Sequence, residues 1–192
     1  MASTTGCRQT KNDDGVIING VKWATCNVDE AGTFAPTSES AGKFFQWNRK
    51  TAWNTTDQEV ADWDYSMSEG TKWEKSNDPS PAGWRVPTFD EIKSLLDKEK
   101  VSNEWTTQNG VNGTKFTDKA SGNSIFLPAA GFRMDTDGAL TEVGLYGSYL
   151  SSTWYDKMYN IDFAYFMYFD DSHLSSNYVS PNYGRSVRSV AE

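Results

Sequence analysis

From Gly144 to Val190 the chain carries eight of its nine tyrosines and neither a glutamate nor a glutamine. Within this stretch YLSST, AYFMYF and RSVRSV are strand candidates separated by polar loops. Tyr, Asn, Ser and Asp stand where an ordinary domain would carry Lys and Glu, a bias shared with the surfaces by which antibodies bind diverse targets. A tyrosine ring offers a large contact area while losing few rotamers, and Ser, Asn and Asp add adaptable hydrogen bonds. The same composition also suits a Tyr-rich sheet edge with polar loops and no binding role, and the residues alone do not choose between the two.

The 192 residues are enough for one domain with a sizeable core and tight for two. A net charge of -8, with Lys and Arg scattered singly, lacks the basic stripe that grips a phosphate backbone, so no nucleic acid partner is expected. No apolar run approaches the length that spans a bilayer, and MASTTGC has neither the basic start nor the apolar middle of a signal peptide. No membrane insertion is expected. Residues 1–14 read as an N-terminal tail or boundary, and residues 15–192 as a single domain. Cys7 and Cys26 fit neither a disulfide framework nor a metal site; a loose thiol at Cys7 and a small buried thiol at Cys26 is the reading preferred over a single bridge. Seven of the eight tryptophans precede Trp154, which divides the chain into a Trp-rich framework and a Tyr-rich end.

Along the chain, VIINGVKWAT places Asn19-Gly20 between two short apolar runs and predicts a β-hairpin. In SESAGKFFQWN, Ser38 or Ser40 can cap a first short helix that buries Phe44, Phe45 and Trp47. Residues 49–78 lack steady periodicity and read as long surface loops pinned by Trp53, Trp63 and Trp73. In PTFDEIKSLLDKEK, Thr88 and Glu91 form a capping box and Ile92, Leu95 and Leu96 one apolar stripe, predicting a second helix from about Phe89 to Lys98. Strands follow from Lys115 onward, beginning with SIFLPAAGFR and a turn at Asp137-Gly138. This order predicts an α+β fold.

GVKWATCNV, NDPSPAGWRVPTFDEIKSLL, LPAAGFR with DGAL, and GSYLSST with GRSVRSV together resemble the C-type-lectin-like domains of bacterial surface proteins. They also resemble the variable proteins of diversity-generating retroelements and, more distantly, the formylglycine-generating enzymes. The likeness covers roughly residues 15 to 190. It implies a C-type-lectin-like fold, with small antiparallel sheets flanked by two helices, long irregular loops, and the N- and C-terminal strands paired. It further implies that 144–190 is a variable region, diversified by adenine-directed mutation of Asn-type codons. Such codons cannot become Lys, Met, Glu, Gln or Trp through changes at their first two positions alone, so Trp154, Lys157, Met158 and Met167 would be framework. Many relatives carry Cys where this chain has Ser80 and Ser189, a pair implied to bridge loop and terminal strand. The joint replacement suits folding in a reducing cytoplasm, as for a phage structural protein, and engineering of both positions would look identical.

Along AYFMYF, with Ala164, Met167 and Phe169 inward or fixed by packing, Phe166, Tyr168 and Asp170 are the outward candidates, and the break in alternation points to a bulge or a strand covered on both faces. The expected recognition surface is Tyr146, Tyr155, Asp156, Tyr159, Asn160, Asp162, Phe166, Tyr168, Asp170, His173, Asn177, Tyr178, Asn182 and Tyr183. Catalysis is not expected, because His173 is the only histidine and no cysteine follows Cys26 to do the work of the formylglycine-generating enzymes. Asp135, Asp137, Asp170 and Asp171 offer hard oxygens, but DTDG lacks the other ligands of a calcium loop. Ser180-Pro181-Asn182 lacks the acid or amide that calcium-dependent lectins carry at that triplet. No cofactor is expected, and a structural calcium ion is left open. The resulting expectation is a receptor-recognition domain of a phage tail fibre or bacterial surface adhesin, at the virion or the cell surface. It would bind a cell-surface protein or glycan and be repeated as a homo-oligomer in a fibre or particle. The alternative is an invariant carbohydrate-binding or structural surface module, with calcium dependence open.

Overall fold

The computed structural model describes residues 13–68, 70–158 and 161–192, without the side chains of 156–158 and 161–162. Asn19 and Gly20, at φ 47° and 79°, supply the two positive angles that join β1 (Val16–Ile18) to β2 (Val21–Trp23). Two-residue strands β3 (Phe44–Phe45) and β4 (Trp84–Arg85) follow, separated by irregular chain with one 3-10 turn at Lys75–Asn77. Next comes α1 (Phe89–Leu96). The second half runs β5 (Val101–Gln108), β6 (Val111–Asp118), β7 (Ser124–Pro128), β8 (Phe132–Arg133) and β9 (Leu140–Thr141). It ends with β10 (Gly147–Met158), β11 (Ile161–Phe169), β12 (Leu174–Val179), β13 (Arg185–Ser186) and β14 (Val190–Ala191).

These strands form sheets ordered β1-β2-β14-β4, β12-β11-β10-β13-β3, β5-β6-β7 and β8-β9. The architecture is mostly β with one α-helix among the described residues, which overturns the α+β expectation of a C-type-lectin-like fold with two flanking helices. The expected first helix is the misreading responsible. Phe44 to Trp47 are all buried, so this segment has no polar face to show solvent as a surface helix must. Positive φ at Gly42 and Asn48 brackets it, and its backbone is consumed by pairing with Trp53 on one side and β13 on the other. The second predicted helix is α1, ending at Leu96. Thr88 Oγ1 accepts from Glu91 N, and Glu91 Oε2 accepts from Thr88 N at 2.8 Å. Arg85 clamps Glu91 bidentately at 2.6 and 2.7 Å, fixing the helix start to β4.

The five-stranded sheet is buried on both faces. Tyr149, Met167 and Phe169 face a core built with Trp23, Ile92, Leu95 and Phe116. Leu150 and Ala164 face a second core built with Phe45, Trp47, Trp73 and Val187. A Cβ at Gly147 would collide with the Phe169 ring, so glycine lets β10 approach β11 there. Cys26 is buried and disulfide-bonded rather than the buried thiol expected, and Cys7 lies outside the described residues.

Asp118, closing β6, ties the first hairpin to the second half. Its Oδ2 accepts from Asn19 N at 2.7 Å, while Oδ1 accepts from Ala120 N, Ser121 N and the Ser121 hydroxyl. The Ser121 and Asn19 amides are the main causes that hold its carboxyl down at about 2. A folded value below the unfolded one gives stability that is fully present above the ordinary carboxylate range and lost as pH falls through about 2. Asp118→Asn is therefore expected to lower the urea midpoint at pH 6, with the gap to the parent chain closing between about pH 4 and pH 2. A gap of constant size across that range would remove the ionised carboxylate from the explanation.

Candidate recognition surface

Strand β10 carries a bulge that decides where its aromatic residues go. Leu150 pairs with Phe166 and Trp154 with Ala164, so Ser151, Ser152 and Thr153 face Tyr165 alone. The bulge docks on the start of α1: Ser152 N donates to Pro87 O at 2.8 Å, and Thr153 Oγ1 accepts from Phe89 N at 2.9 Å. There the Phe89 ring stacks on Tyr165 at 3.9 Å. Beyond it, Tyr155 stacks on Tyr178 at 3.9 Å, and Phe163 and Tyr165 meet Tyr155 edge-on. Tyr178 is 36% exposed, while Tyr155, Phe163 and Tyr165 are half-buried. Burial, then the neighbouring Tyr178, raises the Tyr155 hydroxyl above its ordinary value. The rings offer aromatic edges and faces with hydroxyl handles, suited to a partner that is part apolar and part hydrogen-bonding.

A second group of rings surrounds Arg185. Its guanidinium lies 3.8 Å from the Phe166 ring centre, 4.8 Å from Tyr183 and 5.5 Å from Phe132, and donates to Ser148 Oγ. Arg185 is 3% exposed, and burial lowers its pKa to about 10. Half-buried Tyr146 stacks on Tyr168 at 5.6 Å and meets Phe132 edge-on, with burial pushing the Tyr146 hydroxyl up to about 12. Tyr146, Tyr168 and Tyr183 thus belong to a layer of rings around a buried cation.

The expected surface divides accordingly. Tyr155 and Tyr178 join the first group, and Tyr146, Tyr168 and Tyr183 the second. Phe166 and Asn182, both 6% exposed, are corrections. Phe166 is covered by the Arg185 guanidinium, and Asn182 is drawn inward by accepting from Gln46 Nε2 and donating to Tyr65 O. Asn177 and His173 are exposed, and Asp170 is half-buried. Tyr159 and Asn160 lie outside the described residues, as do the side chains of Asp156 and Asp162.

Asp170, Ser172 and His173 meet in the β11–β12 turn. Asp170 Oδ1 accepts from Ser172 N, the Ser172 hydroxyl and His173 N, and the Ser172 amide leads the causes holding its carboxyl at about 2. These contacts span three residues of an exposed turn, so they organise the hairpin rather than a nucleophile. Asp137 Oδ1 likewise accepts from Ala139 N within its turn. Among the described residues no cluster of three or more His, Cys, Asp or Glu side chains could hold a metal.

Sequence reasoning missed Phe163, Tyr165 and Phe89 as members of the first patch. Phe163 and Tyr165 share their parity along β11 with the buried Met167 and Phe169, so strand alternation alone places them inward. It also missed a cleft of about 790 Å³ lined by Trp73, Pro81, Trp84, Arg85, Thr153 and Trp154 among others. Ser80 and Ser189 meet nearby, the Ser189 hydroxyl donating to Ser80 Oγ at 2.8 Å.

A family model described as a domain of unknown function (DUF8237) matches residues 100–190. The matched segment spans β5 to β13 and reaches Val190 in β14, yet β13 pairs with β3 and β14 with β2 and β4, so it depends on the first half for its sheet partners. No curated protein and no solved structure matches the chain.

Proposed function

We propose that the chain is a ligand-recognition domain whose variable segment, 144–190, presents the ring patch of Tyr155, Phe163, Tyr165 and Tyr178 to a cell-surface protein or glycan. The patch itself carries this reading: four aromatic side chains, three of them tyrosines, sit partly exposed on a sheet whose neighbouring positions Tyr149, Leu150, Ala164, Met167 and Phe169 are locked in two cores. The segment interleaves fixed and free positions. Met167 is buried and Trp154 packs 4.6 Å from Trp47, as befits residues outside the reach of adenine-directed change. Ser175, Asn177 and Tyr178 are exposed. Resemblance to retroelement variable proteins supports the reading through residue blocks, not through architecture. A phage tail or bacterial surface suits such a domain, with several copies giving avidity.

Two measurements test it. Near the gene, a reverse transcriptase and a near-copy of the DNA for 144–190 are expected, with mismatches at adenines of codons such as Tyr155, Asn177 and Tyr178 and none at Trp154 or Met167. Mismatches spread over all four bases would refute diversification. In the protein, Tyr155→Ser and Tyr178→Ser are each expected to cost about 1 kcal/mol or less. Tyr149→Ala, which removes a buried ring stacked on Phe169 and a hydroxyl donating to Pro128 O, should cost about 3–5 kcal/mol. Equal losses in urea melts would make the outer rings core.

A further inference from the structure

We propose that the cleft beside Trp154 is a second ligand site, distinct from the ring patch, and that it takes a neutral saccharide. Its volume, about 790 Å³, lies within the range of small-molecule sites. Trp73, Trp84 and Trp154 line it. Each is braced from behind, Trp73 and Trp154 by Trp47 and Trp84 by Phe34, so the walls need no ordering when a ligand arrives. The Trp73 and Trp154 ring nitrogens are buried, which leaves ring surface, not N–H groups, as what these two walls offer.

Charge selects the ligand. Arg85 is spent on Glu91, Lys75 pairs with Glu192 at 2.8 Å, and Asp78 accepts from Ser80 N and Val86 N. The remaining Lys72 and Glu74 are exposed and of opposite sign. The side chains lining the cleft carry three positive charges (Lys72, Lys75, Arg85) and three negative ones (Glu74, Asp78, Glu192), a balance that favours a neutral ligand over an ion. A polyhydroxylated ring does find matching groups. The Ser152 hydroxyl donates to Pro87 O and keeps its lone pairs, and Thr153 Oγ1 accepts from Phe89 N and keeps its proton. Apolar ring faces with a few convergent hydroxyl groups fit a sugar, whose own faces are apolar and whose rim is hydroxylated.

The test is titration of the whole chain with cellobiose, lactose, maltose and diacetylchitobiose, followed by tryptophan fluorescence and saturation-transfer NMR. At least one is expected to bind in the millimolar range or tighter, with affinity changing less than about twofold when salt rises tenfold. Ala82→Trp, an exposed substitution on the cleft wall, should abolish binding while the melting temperature holds. Tyr178→Ser should leave it unchanged, which separates this site from the ring patch. The proposal is overturned if none of the four binds at about 20 mM, if Ala82→Trp binds equally, if Tyr178→Ser removes binding, or if salt weakens it severalfold.

Discussion

Replacing Arg188 by alanine is expected to unfold the domain or to cost at least about 4 kcal/mol, the largest loss from any single side chain considered. The guanidinium is 1% exposed and fans out to four oxygens: Nε to Asn27 Oδ1 at 3.0 Å, Nη1 to Thr25 O at 2.9 Å and Ala24 O at 3.3 Å, Nη2 to Phe126 O at 3.0 Å. No carboxylate pairs with it among the described residues; burial lowers its pKa, and dipoles stabilise the charge. Removing it leaves these acceptors short of a donor, at about 1–3 kcal/mol for each one left unsatisfied. Since whole domains are stable by only about 5–15 kcal/mol, that loss approaches the total. Arg188→Lys should recover little, because an ammonium cannot reproduce a planar fork. Lys93→Ala, which breaks an exposed pair with Asp90, should change stability by no more than about 0.5 kcal/mol. Urea midpoints decide the matter, and an Arg188→Ala midpoint near that of Lys93→Ala would show that the fan of hydrogen bonds holds nothing.

Such buried arginines explain much of what was not legible in the sequence. Arg133 likewise reaches Asn54 O and Oδ1, Asp57 O and Gly138 O, pinning irregular chain that carries no periodic signal of its own. Nothing in GFR or GRSVRSV distinguishes a buried guanidinium from a solvated one, because its partners are carbonyls far along the chain. Local chemistry was legible where it is self-contained, as in the Asn19-Gly20 turn and the Thr88–Glu91 box. Asn109-Gly110, with φ 49° and 84°, is the same signal and turns β5 into β6, but its flanking runs are mostly polar and were not read as strands. LSSNYV carries no strand signal for the same reason; as β12 it is an edge strand, open to solvent on one side and therefore free to be polar. The recognition residues were legible as a composition and not as a geometry. Phe166 and Tyr168 share a parity along β11, yet Arg185, from a strand on the far side of β10, covers one and leaves the other at the rim.

Joining Ser80→Cys to Ser189→Cys is expected to create a disulfide and to give the largest gain in stability. The two hydroxyl oxygens lie 2.8 Å apart across a sequence separation of 109, so the side chains already point at each other. Closing a loop of that size restricts the unfolded chain by about 4.7 kcal/mol in the entropic account, an upper figure for a bridge that also gives up a hydroxyl–hydroxyl bond. For a chain of this length each kcal/mol moves the melting temperature by about 2–4 °C, so a rise of roughly 10 °C is the expected scale. Ser80→Cys and Ser189→Cys alone should show no gain, and they serve as controls because reductant would also open the disulfide at Cys26. Peptide mapping by mass spectrometry should find the segments around 80 and 189 joined. A double variant that stays reduced under oxidant, or that melts with its single parents, would mean the terminal strand and the loop before β4 are not held face to face. The expectation that Ser80 and Ser189 stand where a bridge could stand would then lose its structural support, since a bridge and a hydrogen bond must occupy one geometry for each to substitute for the other.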